Sequence, residues 1–119
     1  MKEGDIVLTP IPQADGLIKN RPAIVLREMP PYRDFLVCGV STQLDKEVKG
    51  FDEVISSADE DFESTGLRTT SLVRLGFLAA LPSAQIIGAI GSVSPIRHRK
   101  LLKTLSDYLI EPNAGRLLY

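Results

Sequence analysis

Three short stretches carry side chains able to grip an oxyanion. Arg21 stands in "KNRPAIVL", Ser41, Thr42 and Gln43 close "FLVCGVSTQ", and Arg68, Thr69, Thr70, Ser71 and Arg74 fall in "LRTTSLVR". A guanidinium presents paired N–H donors that match two phosphate oxygens, and hydroxyls add further donors, so the set suits a phosphodiester. Each residue alone has a plainer reading. An exposed arginine is usually solvated, and Ser or Thr at a strand end usually caps backbone groups. Arg21 is either a solvated strand end or an anion hook, and the elements around it decide which.

Other chemistries have little material here. No Gly-rich loop ends in Lys-Ser or Lys-Thr, and no Gly-x-Gly-x-x-Gly occurs, which argues against nucleoside triphosphate chemistry. His98, in "IRHRK", is the only histidine, so one chain holds no histidine pair for metal binding or two-step proton transfer; it reads as a solvated helix residue. Cys38 is the only cysteine and lies in the apolar run "FLVCGV". That excludes an intrachain disulfide and a multi-cysteine zinc site, and it reads as buried packing in a cytoplasmic protein.

The elements that must position the candidates follow from pattern. At 119 residues the chain suits a single domain able to bury roughly two-thirds of its unfolded surface. Apolar residues make up 44% with no Trp, so the core is aliphatic and leans toward strands. Residues 5–9 read as a strand ended by the loop "PIPQADG", and residues 22–28 as a second strand, begun by an Arg-Pro pair that can open a strand but not continue a central one. Residues 35–43, 51–56, 69–81 and 86–92 give four more strands, the long one bent at Gly76, with an acidic loop at 57–66 holding at most one helical turn.

A helix then starts with Ser94 as N-cap and Pro95 at the first helical position, and runs to near Ile110. Its Leu101, Leu102, Leu105 and Leu109 share one face, and Arg97, Arg99, Lys100, Lys103 and Asp107 form a solvated face opposite. The fold class is mainly β with a C-terminal helix: a small barrel or strongly bent antiparallel sheet spanning 1–111, with a short tail at 112–119. The N-terminus has no extended apolar core, and no segment approaches the roughly 18 apolar residues of a membrane span.

Net charge is −1, but it is segregated. Eight carboxylates and two lysines between Asp45 and Glu63 give that segment −6, which leaves +5 on the remainder. A polyanion would therefore meet the chain away from the acidic loop.

Taken in order, "GDIVLTPIP", "NRPAIVL", "VSTQ", "GLRTTSLVR" and "IGAIGSVSPIRHRKLLKTLSDYL" resemble the MazF/PemK family, the ribonuclease toxins of type II toxin–antitoxin pairs, over residues 4 to about 110. The resemblance implies an SH3-like barrel of the CcdB/PemK kind, a homodimer gripping single-stranded RNA in a groove, a cognate antitoxin partner, and no metal or other cofactor. It implies attack of a ribose 2′-hydroxyl on the adjacent phosphate, with Arg21 and Ser41 or Thr42 as catalytic residues. Candidate RNA contacts are Asp15, Lys19, Asn20, Gln43, Arg68, Thr69 and Arg74.

Two departures stand out. Gly76 occupies the place where some relatives carry an acidic base, and Asp15 is the nearest match to a first-loop histidine of others, or else a plain Asp-Gly turn residue. A catalytically silent binding module is the alternative motivated by Gly76 and a pI near 5.8. A gyrase-directed toxin of the same fold is a second.

Overall fold

The computed structural model describes residues 1–12 and 15–111; the expected tail at 112–119 lies outside the described residues. Six strands form one sheet: β1 (Asp5–Pro12), β2 (Ile18–Met29), β3 (Asp34–Ser41), β4 (Glu53–Ile55), β5 (Ser71–Leu81) and β6 (Gly88–Ser92). Their order is β4-β5-β3-β2-β1-β6, and every neighbouring pair is antiparallel. Helix α1 (Phe62–Thr65) is the single turn expected in the acidic loop, and α2 (Pro95–Ile110) is the C-terminal helix. No helix among the described residues is long and apolar enough to cross a membrane.

Strand alternation sorts the core onto the two faces of this sheet. Ile6, Ile24, Leu26, Cys38, Val40, Val73 and Leu75 pack with Leu101 and Leu105 of α2. Val7, Ala23, Val25, Phe35, Val37 and Ile86 form a smaller cluster on the opposite face. Register agrees, since Ile24 is opposite Cys38 in the first cluster and Val25 opposite Val37 in the second.

Three register shifts bend the sheet: between Ile6 and Val7, between Val25 and Arg27, and at Cys38/Gly39. The last is the largest. Gly39 is opposite Arg74 and Cys38 is opposite Leu78, so Leu75, Gly76 and Phe77 bulge out of the ladder where a bend at Gly76 is expected. Two glycines let the acidic loop lie close to β6. A Cβ on Gly66, whose φ is +73°, would meet Ile90 O, and one on Gly91 would meet Ser64 O.

The structure corrects the second strand. β2 starts at Ile18, not at 22, and Pro22 lies inside it. β3 pairs with β2 only from Ala23 onward, and β6 pairs with β1 only as far as Leu8. Beyond those limits β1 and β2 form a two-stranded ribbon in which Thr9 is opposite Arg21 and Pro12 opposite Ile18. Each ribbon strand has one edge without a ladder, which is where Pro10, Pro12 and Pro22 are tolerated. β4, β5 and β6 are each shorter by two to three residues than alternation predicts.

The helix begins as expected, with Ser94 Oγ accepting from Arg97 N at 3.2 Å. Three of its residues behave differently from the pattern. Leu109 is 69% exposed, because α2 has run past the sheet by its last turn. His98 is half-buried, and its Nε2 lies 2.8 Å from the carbonyl oxygen of Leu26, the residue that the β2 bulge leaves without a ladder partner. Arg97 is turned in toward the acidic loop rather than out to solvent.

Candidate functional site

The register of β2 on β3 runs toward Arg21 and Ser41. In the ladder between β2 and β3, Ile24 is opposite Cys38 and Ala23 opposite Gly39, where pairing stops. Continuing that count by two residues brings Arg21 level with Ser41. Arg21 is level with Thr9 on its other side, and Ser41 with Leu72. Alternation puts Arg21 on the face of Ala23 and Val25, and Ser41 on the face of Val37 and Gly39, which is the face away from α2. No ladder pair joins the two strands at this level, where Pro22 has no N–H to donate.

The hydroxyl is prepared for donation. Ser41 is half-buried, and its Oγ accepts from Gln43 N at 3.0 Å, which leaves the O–H to donate outward. Thr42 and Gln43 follow as exposed residues at the same sheet end. Arg74, half-buried and opposite Gly39, stands at the start of the β5 bulge, where it lines the groove beside α2.

The loop that feeds β5 leaves from this same end. Arg68 and Thr69 are exposed, Ser71 Oγ donates to Thr69 O at 2.8 Å, and Thr70 Oγ1 accepts from Ser57 N at 3.0 Å. Lys19 and Asn20 are exposed along the ribbon beside Arg21. Asp15 is not brought next to Arg21: it lies at the far end of the ribbon, where its Oδ1 accepts from Leu17 N at 2.9 Å in a turn of the plain Asp-Gly kind.

Two cavities flank the sheet. A cleft of about 210 Å³ on the Arg21 face is lined by Thr9, Ala23, Val37, Gly39, Phe77 and Ala79, among others. A larger groove of about 1080 Å³ runs between residues 48–52, the bulge and the last turns of α2. Its walls are mostly apolar, with Phe51 and Tyr108 rings 4.9 Å apart, and Lys49 and Arg74 line it as well. The smaller cleft includes Thr9, opposite Arg21, and Gly39, two residues before Ser41.

The residue that sequence reasoning missed is Arg97. Its Nε donates to Asp61 Oδ2 at 2.9 Å, Nη1 to Glu53 Oε1 at 2.7 Å, and Nη2 to Asp59 Oδ2 at 2.8 Å and Asp61 Oδ1 at 3.0 Å. The Arg97 side chain is only 11% exposed. Its hydrogen bonds hold the Asp61 carboxyl down at about 2, against the ordinary 3.8, with help from Ser94 N and against the effect of burial. Asp61 in turn raises the Arg97 pKa further. The acidic loop is therefore partly neutralised by the helix and tied to it.

Neither of the lone reactive residues joins the site. Cys38 is fully buried, and burial pushes its thiol up to about 12, as its apolar neighbours imply. Among the described residues no three His, Cys, Asp or Glu side chains come together in a way that could hold a metal ion.

Comparison with known proteins places this arrangement. Residues 2–109 match the family described as PemK-like, MazF-like toxin of type II toxin-antitoxin system. No curated protein matches the sequence. Among solved structures, a mycobacterial endoribonuclease in complex with its cognate antitoxin is similar at a TM-score of 0.67 with 15% identity, over 94% of this chain and 97% of that one. Mycobacterium tuberculosis toxin MazF-mt6 is similar at 0.62 with 18% identity, over 88% and 95% respectively. At such identities those structures speak to the fold, and it is the match over nearly the whole sequence that assigns the lineage: the chain belongs to the PemK-like, MazF-like toxin family of type II toxin–antitoxin systems.

Proposed function

We propose that the protein is an endoribonuclease that cleaves single-stranded RNA without a metal, using Arg21 and Ser41 on one phosphate. What supports this reading is the β2–β3 register, which, carried two residues past its last pair, sets Arg21 level with Ser41 on one face. The ribose 2′-oxygen attacks phosphorus as its proton passes to water, and the bond from phosphorus to the 5′-oxygen breaks as that oxygen takes a proton from water. The products are a 2′,3′-cyclic phosphate and a 5′-hydroxyl. Arg21 stabilises the negative charge that builds on the phosphorane, and Ser41 donates to a non-bridging oxygen, with Thr42 beside it.

The two positions that the family resemblance offers for a general base are not filled in this arrangement. Gly76 holds the position that is acidic in some relatives, and Asp15 is remote along the ribbon. A positioned base contributes about 10²–10⁴ in rate, so turnover is slow and rests on charge stabilisation.

The same Gly76 favours a second reading, a silent relative that only binds. One assay separates the two. Incubation of a long unstructured RNA with the purified protein in EDTA is expected to give fragments ending in cyclic phosphate. Intact RNA after prolonged incubation, with binding retained, would select the silent module.

The partners fit the same surface. The solved relative with its antitoxin shows that one fold of this kind holds such a protein. Here an acidic antitoxin tail laid along the Arg21 face would compete with RNA for the same donors, and a second copy of the chain would wall the groove.

A further inference from the structure

Phe77 stands out among the exposed apolar residues because of where its ring is held. It sits in the three-residue bulge of β5, half out of the ladder and 47% exposed. Its ring lies over Gly39, so close that a Cβ there would come within 2.8 Å of Phe77 Cδ1. Only glycine at that position lets an aromatic ring rest against the strand.

The ring walls the small cleft, together with Ala23, Val37 and Ala79. Thr9 lines the same cleft and is level with Arg21. Ala23 and Gly39 are two residues along their strands from Arg21 and Ser41, which is about 7 Å. An apolar slot with one aromatic wall thus opens beside an anion-gripping pair, and Arg74 is opposite Gly39 on the far side of β3. A flat apolar body joined to an anion matches that surface, and a nucleotide is such a ligand.

We infer that Phe77 is a stacking platform for the nucleobase next to the cleaved phosphate, and so helps hold the RNA in register at the cut. This rests on the nuclease reading of Arg21 and Ser41. Aromatic stacking tolerates any base, so Phe77 supplies affinity and register rather than a choice of base.

The test uses a fluorescein-labelled single-stranded 2′-O-methyl RNA of mixed sequence, which binds but lacks the attacking hydroxyl, followed by anisotropy. Phe77→Ala is expected to weaken binding about five- to a hundredfold, Phe77→Leu nearly as much because it keeps bulk but no π-face, and Phe77→Tyr little. An abasic substitution at the nucleotide flanking the cut should hurt the wild type and leave Phe77→Ala indifferent. Thermal melts of each variant check that the fold is intact. Equal binding by Phe77→Ala and wild type would overturn the platform, even if both cleave RNA. Dependence on Phe77 in a protein that never cleaves would keep the platform and overturn the nuclease. A Phe77→Ala variant whose native mass falls to that of one chain, with binding per chain unchanged, assigns the ring to a second copy and also overturns the platform.

Discussion

Replacing Arg21 by alanine is expected to slow cleavage of single-stranded RNA by at least about 10²–10³, the usual cost of removing one donor from a developing oxyanion. The fold should be untouched, because Arg21 is exposed on the ribbon and packs in neither core cluster. Arg21→Lys keeps the charge and loses the fork, so it should recover only part of the rate. The loss should appear in kcat more than in KM, because the interaction strengthens as charge grows on phosphorus. Single-turnover cleavage in EDTA, beside a thermal melt, measures both halves of this expectation. An alanine variant with wild-type turnover would remove Arg21 from the mechanism.

The second large effect concerns stability. Arg97→Ala should cost about 2–3 kcal/mol, below the penalty for a fully buried ion pair because the cluster is part-buried. It would leave Glu53, Asp59 and Asp61 facing one another without the guanidinium that now donates to all three. The sign of the pH dependence follows from Asp61, whose carboxyl is lowered from 3.8 to about 2 in the folded protein. A depressed carboxyl contributes stability that is fully present above about pH 4 and lost as pH falls toward 2. The gap between wild type and Arg97→Ala should accordingly be widest at neutral pH and shrink between pH 4 and 2. Urea unfolding at pH 7, 4 and 2.5 tests it. A gap that stays constant across those pH values would mean that the acids do not act through Arg97.

The clasp also revises the charge argument. The −6 segment suggests a repulsive patch, but Arg97 occupies three of its carboxylates, and Lys100 Nζ lies 3.9 Å from Glu53. What remains to repel a polyanion is smaller than the count implies. Electrostatics here serves packing first, because it fastens α2 and the acidic loop to one another.

How far the sequence could be read depended on the range of each interaction. Ser94 and Pro95 mark the helix start because capping acts within one turn, and the structure puts Ser94 Oγ on Arg97 N. Gly76 marks the bend in β5 because a glycine inside an alternating run weakens the strand locally. Pro22 misled, since a proline rule for central strands was applied to a stretch that has neighbours on one side only.

Long-range partnerships were not legible. Arg97 finds acids 36 to 44 residues away, and His98 finds a bulge carbonyl 72 residues away. The available hint was the mismatch between a run as acidic as "DEDFE" and a single arginine in the first turn of an otherwise ordinary helix. Arg21 and Ser41 were legible as residue types, but their common level needed the register of two strands.

A double-mutant cycle on Arg21 and Ser41 addresses that convergence most directly. With both residues on the same phosphate, Arg21→Ala and Ser41→Ala should each reduce single-turnover cleavage, and the double variant should be little slower than the worse single one. Effects that multiply in full would place the two side chains on different parts of the RNA and contradict the proposed site.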